Sequence, residues 1–285
     1  MRRRLPESLA RPSLQVELFV LANLAFLSLD IAVAHSVNRF AEPAEWLPLA
    51  FSLLAPWVLL VALWLDRWRP GRQGRGRTLG LAVGWGSVAV GVGGLLFHLD
   101  SRFFAEQTLE NLVYTAPFVA PLAYTGLGLL LLLDRTVSDR EPEWARWVLL
   151  LAAGGFAGNF VLSLADHAQN GFFDPREWIA VGAAALGLST LLVATVSRPS
   201  RGWLRFVIGI LILEALVGLL GAWLHWRAIL ASPMSRPLER VVYSAPAFAP
   251  LLFPNLALLA ALAVAAARPD SEPGVLSSVE GDQAG

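Results

Sequence analysis

Residues 35–46 read HSVNRFAEPAEW and residues 167–178 read HAQNGFFDPREW. They align without a gap in the frame H-x-x-N-x-F-x-[ED]-P-x-E-W. His35 falls on His167, Asn38 on Asn170, Phe40 on Phe172, Glu42 on Asp174, Pro43 on Pro175, Glu45 on Glu177 and Trp46 on Trp178. A second pair follows, LENLVYTAPFVAPL from Leu109 and LERVVYSAPAFAPL from Leu238. It matches Glu110 with Glu239, Tyr114 with Tyr243, and Pro117 and Pro121 with Pro246 and Pro250. Self-similarity at a fixed spacing is the signature of a duplicated unit.

The segments around these motifs are apolar. The 285 residues are 56% hydrophobic and 15% charged, with a mean hydropathy of +0.57, a composition foreign to soluble domains. Eight runs approach the ~20 residues that carry a helix across a bilayer: Leu14 to Ala34, Trp46 to Leu65, Leu79 to Phe97, Leu112 to Leu133, Trp147 to Ala165, Trp178 to Val196, Trp203 to Leu224 and Val241 to Ala267. They are continuous rather than alternating and rich in Leu, Ala and Gly, which argues for helices against barrel strands. Eleven Trp and fifteen Phe suit a surface that meets headgroups and acyl chains. The sequence therefore predicts an all-α integral membrane protein of about eight transmembrane helices, built as two tandem four-helix repeats over residues 1–137 and 138–268. The tail over 269–285, rich in Ser, Gly, Pro and acidic residues, reads as disordered. An even number of helices per unit starts both copies on the same side, so the predicted pseudo-two-fold axis runs along the membrane normal.

The links between runs are of two kinds. One side holds Arg2, Arg3, Arg4 and Arg11, then Arg67, Arg69, Arg72, Arg75 and Arg77, then Arg135, Arg140 and Arg146, and last Arg198, Arg201 and Arg205. The other holds Glu42, Glu45, Asp100, Glu106, Glu110, Asp174, Glu177 and Glu239. The positive-inside rule makes the Arg side cytoplasmic, which predicts both termini inside an inner (plasma) membrane of bacterial type. The tripeptide Ala32-Val33-Ala34 has the form of a signal-peptidase site. The stretch before it, however, carries Glu17, Asn23 and Asp30, is long for a signal peptide and has a counterpart later in the chain, so it reads as a membrane helix.

Several function classes fall away. A formal net charge of zero, with Arg dispersed over short links, gives no basic face for nucleic acid. Without Cys there is no disulfide framework, thiolate metal site or cysteine nucleophile. There is no Gly-Lys phosphate loop, no H-E-x-x-H and no Ser-His-Asp set on a rigid elbow, so no catalytic residue is assigned.

What remains is a constellation at the acidic side. The chain has four His, namely His35, His98, His167 and His225, each near the end of an odd-numbered run. Each is followed across a short link by a glutamate near the start of the next: Glu45, Glu110, Glu177 and Glu239. Neutral imidazole is the commonest protein metal ligand, and carboxylate adds compensating charge. These eight residues are the expected ligands of a transition metal (Fe, Mn, Zn or Cu(II)), in a site that helical bundles can make dinuclear, serving redox chemistry or metal handling. Cu(I) is disfavoured, with two Met and no Cys as soft ligands. Blander readings exist: an interfacial imidazole needs only a hydrogen bond, and a first-turn glutamate is favoured by the helix dipole. Haem held by two axial His is the alternative cofactor, but it leaves the matching glutamates unexplained. The alternative function is ion- or proton-coupled transport through Glu214, with Asn23, Asp30, Asn159 and Asn255 as further polar groups inside the runs. Gly84, Gly86, Gly91, Gly93 and Gly94 read as close helix packing, and the prolines of the fourth and eighth runs as places where those helices can break.

Overall fold

The computed structural model describes residues 11–68, 73–197 and 200–267. Arg2, Arg3, Arg4, Arg69, Arg72, Arg198 and the tail from Arg268 lie outside the described residues. Among the described residues every regular element is helical: α1 (Pro12–Ser36), α2 (Trp46–Trp68), α3 (Gln73–Asp100), α4 (Leu109–Tyr114), α5 (Leu122–Thr136), α6 (Pro142–Gln169), α7 (Glu177–Val196), α8 (Arg201–Ala231), α9 (Pro237–Tyr243) and α10 (Leu252–Ala266), with short 3-10 turns at Pro43–Glu45 and Ala249–Leu251. Among the described residues seven helical segments, Pro12–Ser36, Pro43–Arg67, Gly74–Asp100, Pro142–Gln169, Glu177–Val196, Arg201–Ala231 and Ala249–Ala266, are long and apolar enough to cross a membrane. The chain is an all-helical, multi-pass membrane protein. Large side chains on its outward faces, such as Leu54, Trp57, Trp85 and Leu216, are left for lipid.

The fourth and eighth runs are not continuous helices. After α4 the chain becomes extended at Thr115 (ψ 166°) and returns to helix only at Leu122. After α9 it does the same at Ser244, returning through the 3-10 turn at Ala249. Proline causes both breaks: it lacks the N–H that helix propagation needs and pushes the preceding residue out of the helical region. Pro117 and Pro121 stand in the first break, Pro246 and Pro250 in the second. At 1.5 Å per residue, the 15 residues of α5 fall short of the ~30 Å hydrocarbon layer.

Backbone opened by a break inside a membrane must be sealed by protein. Here glycines let a neighbouring helix do it. A Cβ on Gly91 of α3 would stand 2.8 Å from the Pro121 carbonyl oxygen, and one on Gly94 would stand 2.7 Å from the Pro121 side chain. A Cβ on Gly218 of α8 would stand 2.7 Å from the Pro250 carbonyl oxygen, and one on Gly221 would stand 3.0 Å from its side chain. Placing His98 on His225 puts Gly91 on Gly218 and Gly94 on Gly221. Gly84 and Gly86 are closely approached as well, whereas Gly93 faces open space.

The core runs between α1, α2 and α5 and continues through α6, α7 and α10, with Val16, Leu24, Leu59, Leu130, Trp144, Phe156, Leu191 and Ala260 fully buried. Across the middle, the Asn23 and Asn255 amides donate to each other (3.2 and 2.6 Å), so these two polar groups satisfy one another. At the Arg-rich end, Arg135 is not a loop charge. Its side chain is 7% exposed and ion-paired to Glu17 of α1 and Asp66 of α2. Gly80 of α3 makes the room, because a Cβ there would meet the Arg135 Nε at 2.7 Å.

Candidate metal centre

The repeated frame is a folding instruction. At the end of α1 the chain reverses through Arg39 and Phe40, with φ of 63° and 53°. At the end of α6 it reverses through Gly171 and Phe172, with φ of 68° and 49°. Left-handed backbone is unfavourable for a bulky residue, and two contacts hold it here. The Phe40 N–H donates to the His35 carbonyl (3.1 Å), as the Phe172 N–H does to that of His167 (3.1 Å). The phenyl rings then fold onto Trp46 (centroids 4.5 Å) and Trp178 (4.0 Å, stacked). The prolines at 43 and 175 restart the chain in helical turns, which return Glu45 and Glu177 to the histidines. His35 Nδ1 lies 3.7 Å from Glu45 Oε1, and His167 Nδ1 lies 3.4 Å from Glu177 Oε2.

The other two histidines are positioned by the helix breaks. His98 Nδ1 lies 2.8 Å from the Pro117 carbonyl, and His225 Nδ1 lies 2.7 Å from that of Pro246. A carbonyl can only accept, so Nδ1 carries the proton, and in the neutral ring Nε2 keeps its lone pair. These carbonyls are free for a side chain because the backbone has left the helix there.

Each half gathers two imidazoles and one carboxylate. The rings of His35 and His98 stand 6.2 Å apart at 73°, with Glu45 within electrostatic reach of both. In the second half, His167 lies within electrostatic reach of Glu177 and His225. All four imidazoles are half-buried. Glu45 Oε2 and Glu177 Oε2 are buried without a hydrogen-bond partner, while Asn38 donates to Glu45 Oε1. Among the described residues the partners of every histidine belong to its own half, which gives two pairs, His35 with His98 and His167 with His225.

The remaining predicted ligands stand apart. Glu110 is exposed on α4, and Glu239 is half-buried on α9 with Arg236 3.4 Å away. Among the described residues, no three His, Asp or Glu side chains form a group that could hold a metal ion as they stand. Glu42 is exposed on the first link. On the second, hydrogen bonds from the Arg176 side chain and backbone hold the Asp174 carboxyl down to about 2. Sequence reasoning missed the Pro117 and Pro246 carbonyls. Their signal was the Y-[TS]-A-P element, which couples a helix break to a preceding histidine. The chain matches no protein-family model, no curated protein and no solved structure.

Proposed function

We propose that the chain is a tandem duplication of a four-helix unit, eight helices in all, with a metal-binding imidazole pair at the outer end of each unit. The observation that carries this reading is the common preparation of both pairs. One ring is fixed through Nδ1 on a carbonyl freed by a proline break, and the other lies with Nδ1 beside a carboxylate. Outer partners of this kind set the tautomer and aim of metal-ligating imidazoles. They leave Nε2 of His35 and His98 in one unit, and of His167 and His225 in the other, for the ion.

The donor set fits Fe, Mn, Zn or Cu(II). Two imidazoles are fewer than a closed tetrahedral site requires, so each site depends on further ligands. The buried Glu45 Oε2, and Glu177 Oε2, which also lies beside His167 Nδ1, are the candidates for that role, and water or a bound substrate completes it. Glu110, exposed on α4, and Glu239, paired with Arg236, take no place in either pair. An open position suits redox chemistry or metal handling. The arginine distribution orients the imidazole ends outward and both termini toward the cytoplasm.

The test is elemental analysis of the purified protein beside a variant with all four histidines changed to Ala, together with a visible spectrum. The proposal expects stoichiometric metal in the parent and none in the variant. A haem spectrum would replace the non-haem reading with bis-imidazole haem ligation. Absence of bound metal and haem from both would end the proposal.

A further inference from the structure

Glu214 is a second chemical centre, remote from the imidazoles. It lies midway along α8, is 0% exposed, and neither carboxyl oxygen has a hydrogen-bond partner. It faces the Gly187 backbone of α7. A Gly187 Cβ would meet the ring of Phe156 of α6 at 2.8 Å. One turn beyond Phe156, Asn159 is 2% exposed and its Nδ2 is also unpartnered. The titratable groups of the neighbouring helices sit near their ends: Glu177 on α7, Glu143, Arg146, Asp166 and His167 on α6, and Glu239, Arg240 and Tyr243 on α9. Helix α10 has none, and α8 itself carries Arg201, Arg205, His225 and Arg227 toward its two ends. Among the described residues no counter-charge reaches the carboxyl.

An ionised carboxylate without a counter-charge or hydrogen bonds is not sustained in hydrocarbon surroundings. The group must hold a cation of its own. The side chain is closed off from solvent, and the Gly187 backbone is the polar group beside it. We infer that Glu214 is a proton-binding site inside the second unit, which takes up and releases H+ as its carboxylate converts to carboxylic acid and back. Placing His98 on His225 puts Ser87 on Glu214. Ser87 is likewise buried and unpartnered, so the duplicated position is polar in both units and ionisable in one. Along α8, Glu214, Gly218, Gly221 and His225 share one face, since spacings of three and four residues return to the same side of a helix. The inference does not rest on the metal reading.

The experiment uses the full chain in lipid bilayers. Infrared difference spectra of the parent against Glu214→Gln should show the carbonyl stretch of a protonated carboxyl lost in the variant. In the parent that band should shift on transfer to D2O. Dicyclohexylcarbodiimide, which adds to protonated carboxyls in apolar surroundings, should label the peptide carrying Glu214, and the label should be lost in the variant. If Glu214→Gln does not fold, Glu214→Asp is expected to keep both signals. An unchanged carboxyl band in Glu214→Gln overturns the inference. So does a band that never exchanges in D2O, and so does protection from labelling by sodium, which would make the occupant a metal cation.

Discussion

The two halves of the bundle are built alike at the imidazole end and differ at the middle and at the Arg-rich end. At the imidazole end, each half reverses through a pair of left-handed residues, stacks Phe on Trp and sets a carboxylate beside one histidine and a proline carbonyl beside the other. In the middle, the first half has Tyr124, whose hydroxyl meets Ser52 and the Pro48 carbonyl. The second half has Phe253 and Ala184 at the matching positions. Conversely, Ser87 of the first half is matched by Glu214. At the Arg-rich end, the Arg135, Glu17 and Asp66 cluster has Val264 and Leu149 where Arg135 and Glu17 would recur. The parts alike in both halves are the parts in contact with the histidines.

The largest effect is expected where the halves differ most. Arg135→Met removes the partner of two carboxylates and should cost about 3–5 kcal/mol, since breaking a buried pair leaves charge uncompensated. Val264→Ala, at the matching place, should cost roughly 1 kcal/mol or less, because only a small side chain is trimmed. Thermal unfolding in detergent measures both, and equal losses would mean that the cluster is not a buried one. Next come the glycines that seal the proline breaks. Gly91→Leu and Gly218→Leu should each destabilise by about 1–3 kcal/mol through overpacking, and to a similar degree. A large asymmetry would show that the two breaks are sealed differently. Smallest is Tyr124→Phe, which gives the first half the aromatic of the second. It should lose about 1 kcal/mol, the net worth of a hydrogen bond, and no loss would show that Ser52 and Pro48 do not hold the hydroxyl.

Much of the bundle was legible from hydropathy, because crossing a bilayer demands long apolar helices and the chain supplies them. Less legible were the fourth and eighth runs, where composition looks continuous but Pro117, Pro121, Pro246 and Pro250 end the hydrogen-bond ladder. The site was half legible. His35, Glu45, His167 and Glu177 are brought together by the motif that contains them, so local sequence sufficed. The partners of His98 and His225 are backbone carbonyls about twenty residues on, which no side-chain inventory can show. Glu110 and Glu239 fit the pattern by sequence position, yet α4 leaves Glu110 exposed and α9 sets Glu239 beside Arg236. The role of Arg135 was hidden for a related reason. A positive charge near a helix end reads as a loop charge until the two acidic partners, Glu17 and Asp66, are seen to converge on it from other helices.

The central claim is that the halves carry two equivalent imidazole sites. It is tested most directly by counting metal per chain in the parent, in His98→Ala, in His225→Ala and in the double variant. The account predicts two equivalents in the parent, one lost with each single substitution and none left in the double. A chain that binds no metal, or that loses all of it with either single substitution, would contradict two independent sites.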